Sequence, residues 1–167
     1  TGKRMLNFVD NHDVIRAYTA LKEKRNLLNL YTLLFTMPGI PCVYYGSEFG
    51  AEGDKSDLDY KLRPYIGDID KTAHPELVER IRLLAKIRKG SRALSYGTYK
   101  KATVMNRNFS FVREAEGERI IVAVNIEDHD CTIRVEEAEG TDLLTGQVRN
   151  LNDIYLPPFT ASIYRKN

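Results

Sequence analysis

The sequence predicts an α/β segment followed by an all-β segment, and three observations carry that expectation. Two short apolar runs, residues 4–8 and 40–45, flank a stretch of helical periodicity. A second helical stretch follows a long polar loop and stops at Gly90. Beyond Ser91, runs rich in β-branched and aromatic residues alternate with turns.

Residues 4–8 read as a strand that breaks into a polar, acidic loop carrying the first histidine, His12. Strand ends that open into such loops are where α/β barrels place their chemistry. From Lys22 to about Met37, Leu27, Leu30, Leu34 and Leu28, Tyr31, Phe35 recur at three and four residues, which is a helical repeat. This helix is apolar on more than one side, so several neighbours should bury it. Pro38-Gly39 ends it. Residues 40–45 are apolar without alternation, as in a parallel strand covered on both faces. Strand, helix and strand with short joins make a βαβ unit.

Residues 46–70 form a polar loop rich in Gly and Asp, long enough to suggest function or disorder. Pro75 opens a second helix, as proline does at a first turn, and Leu77, Ile81 and Leu84 mark its apolar face to about Lys89. The boundary near Gly90 divides the chain into 1–90 and 91–167. In the second part, strands are expected at 96–101, 109–113, 120–125, 132–135, 142–144, 154–156 and 161–165. Glu116-Gly117 and Thr145-Gly146 read as turns. Short strands at this spacing suggest a sandwich.

Bulk properties exclude several partners. The 167 residues suit one domain, or a domain and a piece. A net charge of +2, with Lys and Arg scattered among Asp and Glu, argues against nucleic acid. The basic group at 88–92 reads as a helix C-terminus, where cations suit the dipole. No stretch approaches the roughly 20 apolar residues that span a bilayer, so no membrane partner is expected. Cys42 and Cys131 lie in different segments among apolar or strand-like residues and read as free thiols. Neither a metal-ligand spacing, a glycine-rich phosphate loop nor a nucleophile elbow occurs, and no cofactor is expected from the residues.

From composition alone, Asp13 reads as a cap for the following helix and His12 as a polar loop residue. Longer motifs change that weighting. Phe8-Val9-Asp10-Asn11-His12-Asp13 resembles the motif that ends the seventh barrel strand in the α-amylase family of glycoside hydrolases. About thirty residues on, Gly39-Ile40-Pro41-Cys42-Val43-Tyr44-Tyr45-Gly46-Ser47-Glu48 resembles the family's next strand, G-x-P-x-x-Y-Y-G-x-E. Leu83 to Arg88 with Ala93 to Gly97, then Ile121 to Asn125, then Asp142 to Gly146, resemble the approach to the family's C-terminal domain, its core strand and a late turn. The resemblance thus runs over nearly the whole chain.

The resemblance implies the last two β/α units of a (β/α)8 barrel followed by an antiparallel β-sandwich, as the C-terminal part of a larger enzyme. It implies a retaining activity on an α-glucan or maltooligosaccharide substrate. Asp13 matches the family's third catalytic carboxylate, and His12 the histidine that holds the same sugar. Arg16 sits where the family often has Arg, either supporting the loop or lining the cleft. Asp59-x-x-x-Arg63 matches a pattern that contacts the sugar further along, with Asp57 as the alternative to Asp59 and a solvated loop ion pair as the plainer reading. Glu48 is expected to support the barrel end, Asn11 to fix the loop, and Asp10 receives no role. A retaining glycosidase also needs a nucleophile and an acid/base roughly 5 Å apart. The family takes both from earlier strands, so the isolated fragment is expected to be inactive, with calcium allowed only in the parent enzyme. Self-association through the exposed barrel portion is a further expectation. The rival reading is a carbohydrate-binding or structural β-sandwich module, against which stands the lack of tryptophan.

Overall fold

The computed structural model describes residues 4–55, 59–135 and 137–167, with Asp59 described by its backbone alone. Asp57 therefore lies outside the described residues.

The chain opens on β1 (Leu6–Phe8), followed by a short α1 (Ala17–Ala20). A 3-10 turn over Lys24–Asn26 leads into α2 (Leu27–Thr36), and β2 (Ile40–Cys42) follows. The first turn of the expected helix is thus tighter than α, and Glu23 caps it by accepting from the Arg25 amide. β1 and β2 are parallel, with Leu6 opposite Ile40 and Phe8 opposite Cys42. β2 stops three residues short of expectation because β1 turns away after Phe8 and offers no further ladder partner.

After the long loop come α3 (Pro75–Lys89) and α4 (Arg92–Tyr96). α4 replaces the start of the first expected strand. Ser91 supplies its cap, its Oγ accepting from the Leu94 amide, a start signal that the β-rich composition downstream outweighed. The remaining strands are β3 (Thr98–Val104), β4 (Asn108–Ala115), β5 (Glu118–Asn125), β6 (Cys131–Ile133), β7 (Glu139–Asp142), β8 (Val148–Asn150), β9 (Ile154–Leu156) and β10 (Ala161–Lys166). Six of them form one sheet in the order β3-β4-β5-β10-β7-β8, every pair antiparallel, and β6 with β9 makes a separate ribbon.

The sheet is covered differently on its two faces. Ile120, Val122 and Val124 of β5 share a core with Leu27, Tyr31, Leu34 and Phe35 of α2 and with Leu77 and Leu84 of α3. Ile121 and Ala123 point the other way, onto Ile133 of β6 and Ile154 and Leu156 of β9. Burial on both faces explains why 120–124 is apolar without alternation. The β part is therefore one wide sheet with helices on one side and a two-stranded ribbon on the other.

The C-terminus of α2 is where the helices and the sheet meet. An α-helix leaves its last four carbonyls without internal partners. Here two buried arginines take the last two, and the Met37 amide donates to Leu33 O. Arg88 of α3 donates from Nη1 to Phe35 O at 2.6 Å and Met37 O at 3.1 Å, and from Nη2 to Gly39 O. Arg113 of β4 donates from Nη1 to Thr36 O, and from Nε and Nη2 to Thr98 O and Gly97 O at 3.0 Å each. Burial, and then the like charge of Arg88, pull the Arg113 pKa down to about 10, so it stays cationic at neutral pH. Further along α2, Asn29 donates to Asn125 O at 3.0 Å. Asn125 in turn holds His129 O, Leu156 O and Pro157 O through its amide.

Replacing Arg113 by methionine keeps the stem but strands three carbonyls. Only the Thr36 O contact is buried, the other two being part-buried; a buried group left unpaired costs about 1–3 kcal/mol, so we expect a loss of about 1–3 kcal/mol in urea unfolding, read as a lower midpoint at unchanged slope. Arg113→Lys should restore little, because one ammonium cannot reproduce the fork.

Candidate active site

The parallel pair β1–β2 ends on the same side as two loops, and buried polar contacts lock those loops together. Asp10, just past β1, is buried. Its Oδ1 accepts from Ser47 Oγ at 2.7 Å and its Oδ2 from the same hydroxyl at 2.9 Å. Oδ2 also accepts from the Ala17 amide at 2.8 Å, at the start of α1. The helix start that Asp13 might have capped is thus satisfied by Asp10. Asn11 fixes the turn between them, its Oδ1 accepting from the Asp13 amide at 2.8 Å.

Arg16 is 0% exposed. Its Nη2 donates to Tyr45 O at 2.6 Å, its Nε lies 3.6 Å from Asp10 Oδ2, and its guanidinium carbon stands 4.6 Å from the centre of the Tyr44 ring. Of the two roles left open by the sequence, these contacts are those of loop support. Arg16 has no surface to offer a sugar. Its amide also donates to Gly53 O at 2.9 Å, which draws the long loop in. Only glycine fits there: a Cβ on Gly53 would stand 2.2 Å from Lys61 O and 2.8 Å from Arg16 Cγ. Tyr45 continues the brace, its hydroxyl donating to Pro64 O at 2.8 Å. Tyr31 of α2 lies beneath, and burial followed by the Asp10 charge pushes its hydroxyl pKa well above the usual tyrosine range. Glu48, half buried in a 3-10 turn over Ser47–Phe49, sits in the same support layer.

On this base three polar side chains converge at the surface. Asp13 Oδ2 is 3.1 Å from His12 Nε2, and Asp13 Oδ1 is 3.2 Å from Arg63 Nη2. The side chains are 66%, 53% and 44% exposed for Asp13, His12 and Arg63. The His12 ring centre is 6.5 Å from that of Tyr44. Residues fifty apart in sequence thus meet at one point. Exposed ion pairs are worth roughly 0–1 kcal/mol, so hydroxyl groups of a ligand can replace these contacts at little cost. The Asp59 carboxylate and all of Asp57 lie outside the described residues.

Asp10 and Ser47 are the residues that sequence reasoning missed. An aspartate inside an acidic loop reads as solvated, and the two lie 37 residues apart. Cys42 and Cys131 are free. Among the described residues, Glu127, Asp128 and His129 form one cluster whose ligating atoms lie within 4.8 Å of one another. Calcium takes six to eight oxygen ligands, so two carboxylates and an imidazole do not fit it. No helix among the described residues is long and apolar enough to cross a membrane.

Comparison with known proteins shows the family to which the chain belongs. The family model described as "Alpha amylase, catalytic domain" matches residues 1–130. Alpha-amylase 2 of Dictyoglomus thermophilum is 30% identical over 169 residues, covering 96% of this chain and 29% of the relative. A cyclomaltodextrinase of Thermoanaerobacter pseudethanolicus is 32% identical over 165 residues, covering 96% and 28%. The crystal structure of an Anoxybacillus alpha-amylase superposes with a TM-score of 0.77 at 28% identity, covering 96% of this chain and 37% of that one. The chain thus spans less than a third of the length of these two sequence relatives. With a family model matched over most of its length and a relative at this identity over nearly all of it, the chain belongs to the α-amylase family of glycoside hydrolases.

Proposed function

We propose that this chain is part of a retaining α-glucan-active enzyme and contributes Asp13 to its catalytic centre, with His12 and Arg63 holding the same sugar. The observation that carries this reading is the meeting of His12, Asp13 and Arg63 beside the ends of two parallel strands. That is where α/β folds gather ligands. The relatives named as amylase and cyclomaltodextrinase support the substrate class.

Glycoside cleavage builds positive charge at the anomeric carbon. A carboxylate that accepts from the neighbouring sugar hydroxyls draws electron density toward that carbon, and its hydrogen bonds tighten as the ring flattens. An interaction that strengthens in this way lowers the barrier rather than the ground state. Arg63 offers a planar fork to vicinal hydroxyls. The imidazole of His12, 3.1 Å from Asp13, offers an N–H to a hydroxyl of the same sugar. The buried Asp10, Ser47 and Arg16 hold the backbone so that these groups face the ligand in a fixed arrangement. The nucleophile and the acid/base, roughly 5 Å apart in a retaining enzyme, are assigned to the remainder of the intact protein.

Asp13→Asn in the intact enzyme should lower kcat on maltooligosaccharides by on the order of 100-fold or more, while KM changes little. Unchanged kcat would remove Asp13 from the catalytic centre. The 167-residue chain assayed by itself should release no reducing sugar above buffer. It should also associate, because Met5, Leu6, Phe8 and Ile40 are 76%, 57%, 47% and 48% exposed on a two-stranded sheet with open edges. Light scattering should find a mass above the 19.1 kDa of one chain, and a strictly monomeric species would count against that part of the reading.

A further inference from the structure

The two-stranded ribbon of β6 and β9 is narrower than the six-stranded sheet it packs against. Beside it, toward the edge strand β3, lies a cavity of about 570 Å³, within the range of small-molecule sites. Strand register explains its walls. Lys100 of β3 stands opposite Val112 of β4, and Val112 opposite Ile121 of β5. Residues paired in this way share a face, so the three form one row on the ribbon's side of the sheet. Val112 and Ile121 belong to the core on that side, together with Val135 just beyond β6. The pairing of β3 with β4 shifts between Lys101 and Val104. An irregularity of this kind bends its strand, and Thr103 donates its hydroxyl to Arg134 O at 2.8 Å. Two lining residues from opposite walls are thereby joined.

Charges around the cavity divide into committed and free. Glu137 is held by Arg119 Nε at 2.6 Å and Lys166 Nζ at 2.7 Å, and Asp153 by Arg134 Nε at 3.0 Å. Lys100 and Lys101 line the same cavity, are exposed, and have no ion-pair partner among the described residues. Glu136 lies outside the described residues. Two free ammonium groups select an anion. Val112 and Val135, 4% and 8% exposed with Ile121 beneath them, give that anion an apolar floor. A carboxylate suits the place better than a phosphate. Phosphate is gripped best by the guanidinium fork, and both guanidinium groups here are engaged by carboxylates. No lining side chain among the described residues is aromatic, so the cavity lacks the flat face on which a sugar ring would stack.

We infer that this cavity binds a small organic carboxylate with an apolar body, the carboxylate group between Lys100 and Lys101 and the body against Val112 and Val135. The site lies on the face of the sheet turned away from α2 and α3. It stands apart from the His12, Asp13 and Arg63 cluster and does not depend on the α-glucan reading.

Calorimetric titration of 2-naphthoate into the 167-residue chain, with 2-naphthylmethanol as its uncharged counterpart, tests the inference. Saturable binding of 2-naphthoate is expected, about tenfold or more tighter than that of the alcohol, as a charge-assisted contact requires. Replacing both lysines, Lys100→Gln with Lys101→Gln, should weaken 2-naphthoate binding about tenfold or more. Ala102→Phe leaves every charge in place and fills the cavity from an exposed strand position, and it should weaken binding comparably. All three positions are exposed, and an unchanged far-ultraviolet circular dichroism spectrum distinguishes a lost site from a lost fold. The exposed apolar residues of β1 and β2 offer 2-naphthoate a rival place, but binding there would be indifferent to both changes. Undiminished binding in the two variants would therefore overturn the site. Equal affinity for the acid and the alcohol would overturn it as well, and so would the lack of any saturable 2-naphthoate binding.

Discussion

Everything in this structure hangs on how the end of α2 is finished. A buried helix C-terminus needs donors for its last carbonyls, and here the sequence places no cap of its own: Met37 is extended and Pro38 cannot continue the turn. The donors come instead from Arg88 on α3 and Arg113 on β4. Two cations are favourable there because the helix dipole is negative at that end, and carbonyls rather than carboxylates satisfy them. One consequence is rigidity across the join near Gly90. The helices do not sit on a linker beside the sheet; they share a core with it, and the arginines stitch that core's rim.

The same contacts determine where the functional loops begin. Arg88 holds Gly39 O, the residue from which β2 departs. From β2 the chain runs through Tyr45 to Ser47, whose hydroxyl reaches back to Asp10 at the end of β1. The end of α2 and the loop carrying His12 and Asp13 are thus joined by the Arg88 contacts at one end of this stretch and the buried Ser47–Asp10 bond at the other. Buried polar groups left without partners are expensive, which is why Asp10 and the carbonyls at the end of α2 are paired. The surface groups behave in the opposite way, since their contacts are exposed and easily exchanged.

Much of this was legible in the sequence. The 3.6-residue period of 27–35, the non-alternating apolar runs and the turn pairs Glu116-Gly117 and Thr145-Gly146 located most elements, and Gly117 and Gly146 take the positive φ that such turns require. What stayed hidden depended on distance. The α4 turn was masked by the β-rich residues after it. The strand β8 (Val148–Asn150) is exposed throughout and carries no apolar pattern. At the candidate site, the sequence singled out His12, Asp13 and Arg63, and the structure brings these three side chains together. Arg16 was readable only as an arginine near the site; burial decided which of its two roles its contacts fit.

Asp10 and Asp13 make the general point. They are the same residue type, three positions apart in one loop, and residue type alone does not foretell their different surroundings. Asp10 has two neutral donors, the Ser47 hydroxyl and the Ala17 amide, in a buried setting, with the Arg16 cation alongside. A carboxylate so placed is a strut: its lone pairs are committed, and moving it would leave an uncompensated charge. Asp13 has two partners as well, but both are exposed side chains that can swing aside. Its lone pairs are therefore on offer to an incoming hydroxyl. The two carboxylates thus differ in the setting of their partners, buried for Asp10 and exposed for Asp13.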